Sequence, residues 1–216
     1  MLTRARRVLG GAAGSRGDRG VTMVELVIAI TVTTVVLVAV ASGLSLMIKA
    51  YTRVQDRSLA QDRGRVILDG LDRDLRWASS VNRPVRIGDT WYLEFQANAR
   101  TGTTPECSQW RLDAATDTLQ VRRWSVGAAA APAWQTAATR VTNDPSSRRP
   151  FAVVPAGDTV RHQQVDLQLE LTLPRGSGIS TARLTARNSS AASPSNADVN
   201  GDAVSDDEVC TSFGRS

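Results

Sequence analysis

Between Leu26 and Ile48 the chain runs for 23 residues, LVIAITVTTVVLVAVASGLSLMI, without a charged side chain, and Glu25 and Lys49 bracket the run. As a helix it spans about 34 Å at roughly 1.5 Å per residue, enough to cross a hydrocarbon core of about 30 Å. Ahead of it, Arg4, Arg6, Arg7, Arg16 and Arg19 face one acid, Asp18. The positive-inside rule therefore puts the N-terminus in the cytoplasm and everything after Lys49 outside. These arginines also explain the high isoelectric point. Residues 1–20 carry a net +4 of the whole-chain +5, which leaves +1 for residues 21–216. With 216 residues, 42% of them hydrophobic, the chain has room for one domain with a core beside the membrane helix.

A plain secretory signal peptide or signal anchor is the first alternative, because Ala39-Val40-Ala41 before Ser42 has the form of a small-residue cleavage site. Such a signal does not call for an acid at the inner edge of the apolar run, nor for so long a charged region before it. Gly20-Val21-Thr22-Met23-Val24-Glu25-Leu26, behind a basic leader and directly before the apolar run, resembles the processing and methylation site of type IV prepilins. The resemblance implies that a membrane aspartic peptidase, the prepilin peptidase, cuts after Gly20. Val21, where the family most often has phenylalanine, becomes the N-methylated first residue. Glu25 becomes the acid at the fifth position, which pairs with the charged N-terminus of a neighbouring pilin or pseudopilin during assembly. The physics agrees with such a partner, since an acidic side chain costs about 2.5–3.5 kcal/mol at the centre of a span and less near its edge.

No proline occurs before Pro84, and residues 49–79 place Ala60, Gly64, Leu68, Leu71 and Leu75 in one helical stripe with most charges off it. The membrane helix is expected to continue to Ser79 as an amphipathic half, with Ser42-Gly43 as a place to bend. The run from Gly64 to Ala78, with its Arg73-Asp74-Leu75-Arg76 core, resembles the end of the long helix in minor pilins and in the J-type pseudopilins of type II secretion; a solvated helix face would explain its charges equally well. After Pro84 the period falls to two. Trp91, Leu93 and Phe95 alternate with Tyr92, Glu94 and Gln96, and Val165 to Leu173 alternate in the same way, each reading as a strand with one buried face. Loop Pro174–Gly178 leads into Ala182, Leu184 and Ala186, a hairpin, while Ser108–Leu112 and Thr118–Trp124 form a shorter one across Asp113–Asp117.

The expected fold class is α+β, with a long N-terminal helix, membrane-spanning in its first half and amphipathic in its second, on an antiparallel β-sheet head. The expected divisions are a cytoplasmic leader (1–20), a transmembrane and assembly helix (21–48), its amphipathic continuation (49–79), the β head (80–187) and a polar tail (188–216). The tail has little apolar content and reads as a loop or flexible end unless Cys210 or a metal orders it.

Three sets of head residues are candidates for chemistry. Cys107 and Cys210 are the only cysteines, and in an exported domain they are either a disulfide or two free thiols; with His162 as the one histidine, a Cys/His zinc site cannot be assembled. Asn196, Asp198, Asn200 and Asp202 around Gly201, followed by Asp207, approximate a calcium loop, and an acidic surface tail explains them as well. Some pseudopilins bind calcium in their heads; no other cofactor is indicated. Trp110, Arg111, Arg122, Arg123 and Trp124 interleave rings and cations as a nucleic-acid surface does, against the reading of core tryptophans and solvated arginines. No nucleophile elbow, phosphate loop or carboxylate pair in a catalytic context occurs, so enzymatic function is not expected.

The sequence thus points to a membrane-held structural subunit that assembles through its N-terminal helix into a type IV pilus or secretion pseudopilus. The alternative is an anchored extracytoplasmic binding domain that never assembles.

Overall fold

The computed structural model describes residues 20–99, 103–144 and 146–215. Residues 1–19 of the leader, with its five arginines, lie outside the described residues. The chain divides after Lys49 into two compact units. Helix α1 runs Met23–Leu75, unbroken through Ser42-Gly43. In the first unit it is apolar on every side, and all described residues from 20 to 49 are exposed. Its threonines do not leave hydroxyls bare. Thr31, Thr33 and Thr34 donate to the carbonyls of Val27, Ala29 and Ile30 at 2.8, 2.7 and 2.8 Å. These three hydroxyls are thereby satisfied within the helix, as a position in lipid requires.

The second unit holds the remainder of α1 and nine strands. One antiparallel sheet has the order β1 (Ala78–Val81), β3 (Thr90–Ala97), β4 (Glu106–Asp113), β5 (Thr118–Ser125), β6 (Gln135–Thr139), with β2 (Val85–Ile87) also paired to β3. The other is β7 (Phe151–Val154), β8 (Gln164–Leu173), β9 (Gly176–Thr185). A bridge between Val141 and Leu171 links the chain after β6 to β8. The buried amide of Gln163 joins the sheets elsewhere, accepting from Val81 N at 2.9 Å and donating to Val81 O at 3.0 Å.

The stripe Ala60, Ile67, Leu71 and Leu75 enters one core with Trp91, Leu93, Phe95, Trp110, Leu112, Leu169 and Leu171. Gly64 is buried in the same stripe, whereas Leu68 is only partly covered. The helix stops at Leu75, short of the expected Ser79. Ala78–Val81 instead pairs with β3, Ala78 opposite Ala97 and Val81 opposite Phe95, so a tertiary ladder overrides a helical pattern that proline would not have broken.

Two further expectations need correction. The β8–β9 turn is Pro174-Arg175 alone, and Gly176 and Gly178 are strand residues. They serve close approach: a Cβ at Gly178 would lie 3.1 Å from Ala60 Cβ, and one at Gly176 3.3 Å from Arg53 O. Strand β3 is buried on both faces, Tyr92 and Glu94 included, because the tail covers the side turned away from α1. The tail is therefore an ordered strap. Ser189, Ser195 and Ser205 are buried in it, and it is held by hydroxyl and amide hydrogen bonds instead of apolar bulk.

Candidate processing and assembly segment

Thr22 starts α1. Its Oγ1 accepts from Glu25 N at 3.2 Å and its carbonyl accepts from Leu26 N at 3.1 Å. Thr22-x-x-Glu25 is thus a capping arrangement, the threonine satisfying one of the free amides of the first turn and the acid standing where the helix dipole favours negative charge. Gly20 and Val21 precede the helix and are exposed. No Cβ placed on Gly20 would meet a neighbour among the described residues. Ala39-Val40-Ala41, by contrast, lies within the helix. The arrangement offers an exposed, non-helical peptide, an acid in the first turn that follows it, and then an apolar rod exposed along the described residues 23–49.

In the head, Cys107 Sγ and Cys210 Sγ are joined, with Cα atoms 5.4 Å apart. The bond fixes the strap to β4 beside Trp124, whose ring meets Phe213 edge-on at 5.3 Å. Arg111, Arg122 and Arg123 are not gathered into one basic face. Arg122 and Arg123 are consecutive in β5 and so turn to opposite sides of the sheet. Arg123 Nε donates to Asp74 at 2.8 Å. Arg122 is buried and donates to Gln109 Oε1 at 2.6 Å and Gly214 O at 2.7 Å. Burial, then the nearby Arg111 charge, lowers the Arg122 pKa from the usual guanidinium value. Arg111 Nε donates to Gln120, and its guanidinium lies over Trp134 at 4.1 Å.

The side-chain oxygens of the calcium-like loop are engaged by backbone amides, those of Asp198, Asn200 and Asp202 by the loop's own and that of Asn196 by Ala156. Asp198 accepts from Gly201 N and Ala203 N at 2.8 and 3.2 Å, Asn200 Oδ1 from Asp202 N at 3.1 Å, Asp202 Oδ1 from Val204 N at 2.8 Å, and Asn196 Oδ1 from Ala156 N at 2.7 Å. Asp207 is exposed. Among the described residues no group of three or more His, Cys, Asp or Glu side chains is placed to hold a metal. Sequence reasoning missed the polar centre under the strap. Glu94, 1% exposed, accepts from Asn82 Nδ2 at 2.9 Å, Gln109 Nε2 at 2.6 Å and Arg215 Nη2 at 2.7 Å. Its only signal was a polar alternation that looks identical on a wet strand face.

The chain has one helix long and apolar enough to cross a membrane and, after it, antiparallel sheets, which makes it an α+β protein. Residues 15–41 match the family of the prokaryotic N-terminal methylation motif. That match covers the N-terminal segment alone and supports a likeness to type IV pilins there. No curated protein and no solved structure matches it.

Proposed function

We propose that the chain is a structural subunit, a minor pilin or pseudopilin, that the prepilin peptidase cuts between Gly20 and Val21 and that is N-methylated on Val21. It then waits in the cytoplasmic membrane with its head outside and joins a pilus or secretion pseudopilus through α1. The observation that supports this reading most directly is Glu25, placed by Thr22 in the first turn of a helix that is apolar on all sides beyond it. In lipid an unpaired carboxylate there is costly, and the amine at Val21 of a sister subunit is a partner of opposite charge. The apolar rod leaves lipid for a bundle of like helices, where its cost of exposure is again avoided.

Mass analysis of the native N-terminus tests the processing step. The expected species begins at methylated Val21; a chain that keeps Met1 in cells possessing the peptidase, or one that starts at Ser42, refutes it. For assembly, Glu25→Leu is expected to remain in the membrane but be incorporated at least about tenfold less, the effect of losing one charged pair. Normal incorporation of that variant would refute the Glu25 docking contact, and failure of the natural chain to be incorporated at all would leave only the anchored, non-assembling domain.

A further inference from the structure

The first turns of the head unit gather three arginines. Arg53 and Arg57 stand one turn apart on the same face of α1. The β8–β9 turn lies on this stretch: Arg175 N donates to Asp56 Oδ2 at 3.0 Å, and a Cβ placed on Gly176 would stand 3.3 Å from Arg53 O and 3.4 Å from Arg57 N. Arg175 is thereby brought to the same turn. All three side chains are exposed, and none has an ion-pair partner among the described residues. Residues 50–61 and 174–178 contain one acid, Asp56, against these three cations, so the cluster is net positive. On the same stretch of helix Tyr51 is 68% exposed and Val54 69%.

Cations, a tyrosine and an apolar side chain within two turns are the mixture found at a membrane interface, where tyrosine sits at headgroup level and the guanidinium fork matches phosphate. By sequence Arg53 follows Ile48, the last residue of the uncharged run, by five positions. As helix that is about 7 Å, against a headgroup layer of about 5–7 Å on each side of a bilayer. Helical side chains lean toward the N-terminus of their helix, here back toward the apolar run. The five arginines of the leader already set the orientation, so these three are not needed for it. We infer that Arg53, Arg57 and Arg175 bind the phosphate groups of anionic phospholipids in the outer leaflet of the cytoplasmic membrane. The inference rests on the reading of α1 as a membrane helix with the head outside, and adds a lipid partner to it. The contacts hold the base of the head at the membrane surface while the subunit waits, and they are given up when it leaves the bilayer.

The test uses the full chain reconstituted in phosphatidylcholine vesicles that carry a trace of spin-labelled phosphatidylglycerol or spin-labelled phosphatidylcholine. Electron spin resonance then gives the ratio of their association constants at the protein. The leader's arginines contribute equally to every variant, so comparing the natural chain with Arg53→Gln/Arg57→Gln/Arg175→Gln isolates the outer cluster. The expected result is a preference for phosphatidylglycerol that added salt weakens. In the triple variant the ratio should fall about fivefold or more, the worth of one arginine near an anionic surface. Replacing the same three residues by lysine should retain most of the preference. An unchanged ratio in the triple glutamine variant overturns the inference. So does inorganic phosphate that abolishes the preference at matched ionic strength, since the site would then be one for the free ion. A chain that alkaline carbonate strips from the vesicles refutes the membrane reading of α1, and the inference with it.

Discussion

Glu94 occupies a strand position that alternation assigns to water, and its ion-pair partner in the interior is Arg215, 121 residues later. Two of the carboxylate's contacts are neutral amides, Asn82 and Gln109, and the Arg215 guanidinium is its direct ion-pair partner, with the buried Arg122 charge also nearby. Removing one partner of a buried pair leaves an uncompensated ion, whereas removing both removes the problem. Arg215→Met is therefore expected to lower head stability by about 3 kcal/mol, at the low end for such pairs because the amides remain. Glu94→Gln combined with Arg215→Met should cost less than Arg215→Met alone, and denaturant unfolding followed by tryptophan fluorescence reads both. A second residue carries a pH signature. Asp144 accepts from Ser146 N and Oγ at 2.8 and 2.6 Å and from Ser147 Oγ at 2.8 Å, and these bonds, led by the Ser146 hydroxyl, hold its pKa at about 2. A depressed carboxylate stabilises the fold above its unfolded pKa of about 3.9 and ceases to do so as pH falls through the folded value. Carboxyl NMR should show Asp144 titrating near 2, and Ser146→Ala should move that midpoint upward.

At the scale of elements, α1 was legible over most of its length because its two signals are local: an uncharged run, then small and apolar residues every third or fourth position. Its end was not, since Ala78–Val81 leaves the helix for a partner strand that no local rule names. The hairpins β4–β5 and β8–β9 were visible through alternation, while β1, β2, β6 and β7 are short strands whose existence depends on neighbours. The glycines explain how closely α1 can lie on β9. A Cβ at Gly64 overlaps Ser180 Oγ and comes within 2.6 Å of Ser180 Cβ. Two effects compete in Gly64→Ala: helix propensity favours alanine by about 1 kcal/mol, and overpacking costs about 1–3 kcal/mol. The overlap is with a side chain fixed on a strand, so the clash should win and the variant should be less stable. Adding Ser180→Gly removes the obstacle, and the double variant should recover stability in the same unfolding assay. A single variant more stable than the parent would mean that helix and strand are free to separate.

Across the whole molecule, the methylation-motif segment could be read from sequence because its pattern needs only a glycine and an acid at fixed local spacing before an apolar run. The strap could not, because its order comes from pairing polar groups more than a hundred residues apart. The disulfide closes a sequence separation of 103, and loop-closure entropy alone would make it worth about 4.7 kcal/mol, within a usual range of about 2–5. The strap has other attachments: Asn82 exchanges two hydrogen bonds with Val209, at 2.8 and 2.9 Å, and Arg215 holds Glu94. These persist without the covalent bond, so Cys107→Ser with Cys210→Ser should still fold, with head stability lowered by about 2–4 kcal/mol. Hydrogen exchange should then accelerate first in residues 205–215, since a strap no longer tied by sulfur opens below the global free energy. Equal acceleration throughout the head would show instead that the strap and the sheet beneath it unfold as one cooperative body, with the polar centre around Glu94 joining them.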